Sequence, residues 1–248
     1  MTAIPDFLEA YYASDSDGGV RVSAGQASAF AKDVAGDYNP LHDVGARRFC
    51  VPGDLLCALV LGRYGLSQRM TFAFRDMVGA GEALYLPEAE SETGSIAVRD
   101  TDGGVYLEVE RAGSVCHDPR IIERFIRAYA AFSGKTFPHY MIPVLEEHGV
   151  MFHPDRPLVI YDGMGFELQT FEFTQPALEL ADRTLAVDGK RGSATLRFDM
   201  HENGHSFGAG WKKLVISGLR DFDAERMRAF VEHFRHRKAA YEAERDGG

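Results

Sequence analysis

The chain has 248 residues, a formal net charge of −10 and a pI of about 5.4. This length allows one large domain or two small ones. A content of 45% hydrophobic and 26% charged residues is typical of globular proteins and excludes a disordered chain. The acidic charge excludes a non-specific nucleic-acid binder, which needs a basic face.

Compartment and membrane behaviour follow from three further features. The N-terminal residues have neither the basic region nor the apolar region of a secretion signal. The longest apolar run, Leu55 to Leu61, is far too short to span a membrane. Cys50, Cys57 and Cys116 lie at no zinc-like spacing and predict buried free thiols in a reducing compartment. The sequence therefore predicts a cytoplasmic protein that does not cross a membrane.

The first part of the chain predicts two helices followed by antiparallel strands. Ser23 to Gln26 has the form of a capping box, and the helix that it begins should run through Ala35 and end at Gly36. A second, fully buried helix should begin near Pro52 and Gly53. A hairpin signal at residues 102–104 joins two of the strands that follow. The predicted strands are residues 71–78, 83–86, 95–99 and 105–109.

The second part of the chain predicts a helix, several strands and a terminal helix. Asp118 and Pro119 have the form of a helix start, and Gly134 fits its end. An amphipathic helix should close the chain between Asp223 and Glu244. The strands predicted between these helices are residues 158–161, 166–173, 183–187, 193–200 and 207–216.

The two parts resemble each other in order of elements. When Gly36 is laid on Gly134, Pro40 falls on Pro138, and the helical runs before them coincide. A repeat of this size indicates duplication of a small α+β unit. We therefore expect a first half at residues 1–117 and a degenerate second half at residues 118–248. In this alignment Asp37 meets Lys135, Asn39 meets Phe137 and His42 meets Tyr140.

Residues 36–42, Gly-Asp-Tyr-Asn-Pro-Leu-His, form the most informative segment. They place the Asp37 carboxylate and the His42 imidazole on either side of a proline turn. Such a pair can move protons onto and off a carbon acid or a water near neutral pH. The alternative is that these are ordinary turn residues, since Asp and Asn stabilise turns through side-chain to backbone bonds.

Three segments carry a resemblance to a known family. Residues 22–42, Val-Ser-Ala-Gly-Gln-Ala-Ser-Ala-Phe-Ala-Lys-Asp-Val-Ala-Gly-Asp-Tyr-Asn-Pro-Leu-His, resemble the active-site segment of MaoC-like (R)-specific enoyl-CoA hydratases. Residues 52–61 and 69–84 resemble the helix and the strand that follow it there. The match spans about the first 90 residues. It implies an α+β double hotdog, in which two long antiparallel sheets each wrap a central helix, with an added C-terminal amphipathic helix.

The resemblance also implies residue roles. Asp37 and His42 match the catalytic pair, which holds one water and adds it across the double bond of a 2-enoyl thioester. Asn39 matches the asparagine that orders the turn. Gly53 matches the glycine whose backbone N–H stabilises the enolate-like charge at the thioester carbonyl. The expected partner is an acyl-CoA or acyl-carrier-protein thioester, and no metal or other cofactor is expected.

This sequence departs from the family between His42 and Gly53, where its loop is shorter and the histidine that often precedes the glycine is replaced by Pro52. The resemblance predicts a hydratase or dehydratase, which is a lyase. The shortened loop keeps two alternatives open: a non-catalytic acyl-thioester binding or regulatory protein, and a hotdog thioesterase. A monomeric pseudo-dimer or a homodimer is expected, since a single hotdog leaves a sheet edge to be paired.

Other polar patterns have simpler interpretations. His201-Glu-Asn-Gly-His205 matches the H-E-x-x-H zinc pattern, but Asn203-Gly204 between two alternating runs predicts a type I′ hairpin instead of the required helix. A basic run at residues 233–238 is either a solvated helix face or a contact for a carrier or partner. Four arginines could meet the phosphates of coenzyme A or an acidic carrier protein, although exposed arginines are common: Arg47, Arg48, Arg63 and Arg69.

Overall fold

A computed structural model describes residues 4–15, 18–154 and 156–246. It has an α+β architecture, and its strands and α-helices alternate in blocks along the chain. The strands are β1 (Ala13–Ser14), β2 (Val20–Arg21), β3 (Leu66–Phe74), β4 (Ala83–Leu84), β5 (Gly94–Arg99), β6 (Val105–Cys116), β7 (Val150–Met151), β8 (Leu158–Leu168), β9 (Ala177–Asp188), β10 (Arg191–Glu202), β11 (His205–Ser217) and β12 (Arg220–Asp221). The α-helices are α1 (Ala24–Ala29), α2 (Gly53–Tyr64), α3 (Pro119–Lys135), α4 (Met141–Glu147) and α5 (Ala224–Asp246).

The long strands form one seven-stranded antiparallel sheet in the order β5-β6-β3-β8-β11-β10-β9. Its first three strands come from the first half and its last four from the second. The halves meet where β3 pairs with β8, from Arg69 opposite Glu167 to Ala73 opposite Gly163. Each half therefore covers a strand edge of the other within one chain. The predicted double hotdog is confirmed, with its two sheets joined into one.

The buried helices lie against this sheet in two core clusters. Nearly every residue of α2 is buried, as its apolar sequence predicts, and α2 shares the larger cluster with α3 and the inner residues of β3, β6 and β8. The smaller cluster surrounds α4 and includes Met227 of α5. The central helix of the first half thus has 12 residues, and its smaller counterpart in the second half has 7.

Between α1 and the turn at residues 37–42, the chain changes from an α-helix to a π-helix. The capping box is confirmed: Gln26 N donates to Ser23 Oγ at 3.2 Å, and Ser23 N donates to Gln26 Oε1 at 3.0 Å. The predicted single helix continues beyond α1 as a π-helix over Phe30–Ala35 and ends at Gly36, whose φ is 66°. π-Helical turns often occur at functional sites because they displace the side chains that follow them.

Gly134 does not end α3 as predicted, because α3 runs on to Lys135 and leads into a second π-helical turn, Thr136–Tyr140. Close packing, and not the end of a helix, requires a glycine at position 134. A Cβ on Gly134 would lie 2.7 Å from the Gly36 carbonyl oxygen and closer still to that of Ala35. The two glycines that coincide in the sequence repeat are therefore neighbours in space, where the two halves touch backbone to backbone.

Two other predictions have clear outcomes. The predicted hairpin at residues 201–205 is confirmed: β10 and β11 flank Asn203 and Gly204, whose φ angles are 51° and 79°. The two runs predicted at residues 158–161 and 166–173 are instead joined in one strand, β8, which ends at Leu168. Its Gly163 and Gly165 have no side chains, which leaves room for β3 and the Trp211 ring directly against them. No helix in the described ranges is long and apolar enough to cross a membrane.

Candidate functional site

A cavity of about 340 Å³ lies between the two halves. The first half contributes the turn at residues 37–42, the start of α2 and the end of β3. The second half contributes the end of α3, the middle of β8 and helix α5. All four residues predicted for the site line this cavity or its turn: Asp37, Asn39, His42 and Gly53.

Asn39 fixes the shape of the turn. Its backbone N–H donates to Asp37 Oδ1 at 2.9 Å, and its own side-chain oxygen accepts from Leu41 N at 3.2 Å. Its amide nitrogen donates across the cavity wall to the Val159 carbonyl on β8 at 3.3 Å. The turn is therefore ordered within itself and attached to the second half.

His42 faces Asp37 with a defined proton arrangement. Its Nδ1 lies 2.8 Å from the Cys50 carbonyl oxygen, and since a carbonyl only accepts, Nδ1 carries a proton. The other nitrogen, Nε2, lies 3.8 Å from Asp37 Oδ2. This separation is too long for a direct hydrogen bond and leaves both atoms able to contact a molecule in the cavity.

Burial and mutual charge set the protonation of the pair. Burial raises the pKa of Asp37, and the neighbouring His42 opposes that rise. For His42, burial alone would lower the pKa, but hydrogen bonding to Cys50 and the charge of Asp37 outweigh it and raise the pKa from 6.5 to about 9. His42 is therefore an imidazolium at pH 7, and it stabilises the Asp37 carboxylate.

Gly53 is the first residue of α2, so its backbone N–H has no partner within the helix and lies at the positive end of the helix dipole. Two rings lie close above it. A Cβ at this position would be 3.0 Å from Phe74 Cζ and 3.2 Å from Tyr161 Cδ2. The absence of a side chain lets these rings, and anything held beside them, approach the helix terminus.

A buried polar network, not predicted from the sequence, supports this wall. Lys212 on β11 is fully buried, and its Nζ donates to Asp54 Oδ1 at 2.6 Å, to Ser133 Oγ at 2.7 Å and to the Tyr129 carbonyl at 2.9 Å. Ser133 Oγ lies 2.6 Å from Asp54 Oδ2 and 2.7 Å from the Tyr161 hydroxyl. The network ties the start of α2 in the first half to α3, β8 and β11 in the second.

The network also determines which way Tyr161 donates. Ser133 has one hydroxyl proton, and the Asp54 carboxylate accepts it. Tyr161 must therefore donate its own proton to Ser133 Oγ. Tyr161 lines the cavity, so its oxygen presents only acceptor lone pairs there. The cavity thus contains a donor at Gly53 N and acceptors at Tyr161 and Asp37, and Ser133 is too fully engaged to act as a nucleophile.

One signal in the sequence could have revealed this network. On β11, Lys212 shares its face with Leu214 and Ile216, because alternate residues of a strand point the same way. A lysine in a buried alternating register requires an acidic partner. Neither Asp54 at a helix start nor Ser133 beside a glycine carries a comparable local signal.

The arginines proposed from the sequence lie elsewhere. Among the described residues that line the cavity, none is Arg47, Arg48, Arg63 or Arg69. Arg69 lies on the sheet, 3.7 Å from Glu167. Within the described part of the chain, no three His, Cys, Asp or Glu side chains are grouped as a metal site requires.

Helix α5 covers one side of the cavity, next to the short loop. Phe230 and Phe234 line the cavity, and the Phe234 ring lies 5.9 Å from the ring of Tyr38, measured between centroids. Arg237 contacts the Asp43 carboxylate in the short loop. The terminal helix therefore supplies apolar wall next to the Asp37–His42 turn.

Residues 6–225 match a family model described as a protein of unknown function, DUF3581. The chain belongs to this family. No protein with a curated description matches it.

The chain is similar to several solved structures. A proposed thioesterase II from Thermobifida fusca is 10% identical, with a TM-score of 0.46 over 88% of this chain and 99% of that one. An acyl-CoA thioesterase II from Mycobacterium marinum is 9% identical, with a TM-score of 0.42 over 88% and 98%. A proposed oleoyl thioesterase from Lactobacillus plantarum is 7% identical, with a TM-score of 0.38 over 79% and 90%.

The prediction of a lyase is wrong, since the solved structures above carry the names of thioesterases, which are hydrolases. The resemblance to MaoC-like hydratases in particular is not confirmed, and the matching family model names no activity. The resemblance rested on a turn and a helix start. Those features place a carboxylate, an imidazole and a backbone donor, and the same three groups serve several reactions at a thioester carbonyl.

Proposed function

We propose that the cavity binds an acyl thioester and hydrolyses it, with Asp37 as general base, His42 as general acid and the Gly53 N–H as oxyanion donor. The observation that supports this most is the 3.8 Å separation between Asp37 Oδ2 and His42 Nε2 on the cavity wall. A base and an acid of raised pKa then face the same space without consuming each other.

The proposed reaction proceeds in two steps. The Asp37 carboxylate takes a proton from a water as its oxygen attacks the thioester carbonyl carbon, and the Gly53 N–H stabilises the resulting oxyanion. The C–S bond then breaks, the His42 imidazolium protonates the departing sulfur, and the free acid and thiol leave. Asp37 returns its proton to His42, which restores both groups.

Tyr161 and Asn39 act as positioning residues in this proposal. The lone pairs of Tyr161 accept the second proton of the attacking water, so that one lone pair of the water points towards the carbonyl. Asn39 holds Asp37 through the hydrogen bond to Oδ1, which leaves Oδ2 available as the base. The precise orientation of a bound nucleophile accounts for much of the rate that such sites achieve.

The apolar wall suits an acyl chain. Phenylalanines from both halves and from α5 line the cavity beside the polar turn: Phe74, Phe137, Phe152, Phe230 and Phe234. We propose acyl-CoA or an acyl-carrier protein as the donor of the thioester. The proposed halves, 1–117 and 118–248, divide the work: the first supplies the chemistry and the second supplies walls and the Lys212 network.

A second candidate is a non-catalytic acyl-thioester binding or regulatory protein. It is favoured by the contacts of α5 beside the cavity. Tyr241 OH donates to Asp33 Oδ1 at 3.1 Å, Arg245 lies 3.9 Å from the same carboxylate, and Arg237 contacts Asp43. A helix held in this way would slow the exchange of ligand between the cavity and solvent. The cavity would then store an acyl thioester instead of hydrolysing it.

Thiol release from a series of acyl-CoAs, followed with a thiol-reactive chromogen, tests the proposal. We expect the wild type to release thiol, and Asp37→Asn and His42→Gln each to lower kcat by about 10²- to 10⁴-fold. Asp102→Asn, in an exposed hairpin turn, is the matched control and should retain the wild-type rate. Saturable binding of acyl-CoA without thiol release would support the binding protein instead.

A further inference from the structure

A second groove continues outward from the cavity. It encloses about 760 Å³ and is lined by the following residues: Pro40, Pro154, Pro157, Arg226, Ala229, Phe230, His233, Phe234 and Arg237. Four of these residues, Pro40, Pro157, Phe230 and Phe234, also line the inner cavity. The two spaces therefore adjoin at these four residues.

The outer groove is basic. Arg226, His233 and Arg237 follow one another along a single face of α5 at spacings of seven and four residues, which place side chains on the same side of a helix. Among the described residues that line the groove, none is acidic. The charges of Arg226 and Arg237 lie on a chain whose net charge is −10, so the groove differs in sign from the protein as a whole.

The existing partners of Arg226 and Arg237 leave both guanidinium groups able to bind an anion. Arg226 Nε lies 3.5 Å from Asp223 Oδ2, in a pair whose side chains are 62% and 46% exposed. Such pairs contribute little to stability and exchange readily. Arg237 contacts Asp43, but that carboxylate also has Lys32 at 3.2 Å, so one negative charge lies between two positive ones.

We propose that this groove binds a phosphate group of the carrier arm to which the acyl chain is attached. The inference rests on the proposed function: the acyl thioester occupies the inner cavity and the arm passes between Pro40 and Phe230 to the groove. Coenzyme A and carrier proteins share this chemistry, because both attach the acyl group through a pantetheine arm that ends in a phosphate. Guanidinium groups bind phosphate through paired, charge-assisted hydrogen bonds.

Calorimetric titration of the full chain with coenzyme A and with pantetheine, which has no phosphate, tests the groove without requiring catalysis. We expect coenzyme A to bind more tightly than pantetheine, and its affinity to fall as salt is added. The double variant Arg226→Gln/His233→Gln should weaken coenzyme A binding by about tenfold and leave pantetheine binding unchanged.

The matched control is Arg235→Gln/His236→Gln, which removes the same two residue types from exposed positions of α5 outside the groove lining. It should keep the wild-type affinity to within about twofold. Equal weakening by both double variants would show a general charge effect and overturn the proposal. Equal affinities of wild type for coenzyme A and pantetheine would overturn it as well.

Failure of the groove and failure of the proposed hydrolysis give different results. If S-acyl-pantetheine is hydrolysed with the same kcat/KM as the acyl-CoA, the groove proposal fails while hydrolysis stands. If coenzyme A binds through the groove and no thioester is hydrolysed, hydrolysis fails while the groove stands. Comparing acyl-CoA with the same acyl group on a carrier protein identifies the source of the phosphate, and the groove variant should raise KM for whichever is used.

Discussion

The segments at Gly36 and at Gly134 show how two aligned parts of one chain differ. The two glycines coincide in the sequence repeat and lie against each other. A π-helix, Phe30–Ala35, comes before Gly36, whereas another π-helix, Thr136–Tyr140, comes after Gly134. The first segment contains Asp37 and His42. The second has Lys135 and Tyr140 at the aligned positions, and its Thr136 and Phe137 form cavity wall.

The second part of the chain supports the start of α2 in the first. Lys212, Ser133 and Tyr161 all belong to the second part, and all three hold or face the start of α2. The asymmetry is that the first part carries a carboxylate and an imidazole at the cavity surface, and the second carries a buried network behind it. Three changes test this division, and they follow in order of expected effect.

The largest effect is expected for Lys212→Met. Removing Lys212 leaves the Asp54 carboxylate buried, 5% exposed, without its cation. Breaking one partner of a buried pair typically costs about 3 to 5 kcal/mol, so the free energy of unfolding in urea should fall by that amount. Lys213→Met is the control, because Lys213 pairs with Asp162 at 2.8 Å where both side chains are 43% exposed. It should cost less than about 1 kcal/mol. Equal losses in the two variants would show that the buried Lys212–Asp54 pair contributes no more to stability than an exposed ion pair.

The next effect is a pH dependence that His42 contributes from the first half. The folded pKa of His42, about 9, lies above its ordinary value of 6.5. Its stabilisation is therefore complete below pH 6.5 and is lost as the pH rises through 9. This amounts to about 3 kcal/mol. Urea unfolding of the wild type at pH 6 and pH 10 should show the loss.

The same comparison in His42→Gln should remove most of that loss, and Tyr140→Phe, at the aligned position of the second half, should not. Wild-type stability that stays constant between these two pH values would contradict the charged state assigned to His42. In the hydrolysis assay, kcat should also fall above about pH 9, where the general acid loses its proton.

The smallest effect concerns the contact between Gly134 in α3 and the backbone at Gly36. Gly134→Ala would place a methyl group against the carbonyl oxygens of Ala35 and Gly36. Overpacking of this kind costs about 1 to 3 kcal/mol, which thermal unfolding would report as a lower Tm. Gly25→Ala in α1 meets only Ser23 Oγ, at 3.9 Å, and should be neutral or stabilising by up to about 1 kcal/mol. A neutral Gly134→Ala would show that Gly134 is not in the close contact described.

The sequence predicted the parts of this fold that depend on local signals. The capping box at Ser23, the Asn203-Gly204 hairpin and the buried helix after Pro52 each rest on neighbouring residues, and each is confirmed. The end of α3 was predicted wrongly at Gly134 because the reason for that glycine is a contact with residues about 100 positions earlier. The Lys212–Asp54 pair was missed for the same reason, since its two charges are 158 positions apart.

The residues near Asp37 were identified because a carboxylate, a proline turn and an imidazole occupy one short segment. The reaction was predicted wrongly because the segment fixes the placement of these groups and not the substrate bond that they act on. The walls that distinguish substrates come from β8, α3 and α5, and no local pattern marks them. The sequence alone therefore identifies Asp37 and His42, whereas the cavity around them is seen only in the folded structure.

The claim at the centre of this account is that Asp37 activates a water that attacks the thioester directly. A single turnover in ¹⁸O-labelled water, with enzyme in excess over an acyl-CoA, tests it by mass spectrometry of the released acid and of the peptide that contains Asp37. We expect one ¹⁸O atom in the acid and none in Asp37. Unlabelled acid together with ¹⁸O in Asp37 would show covalent attack by the carboxylate, and would contradict the role of Asp37 as a general base.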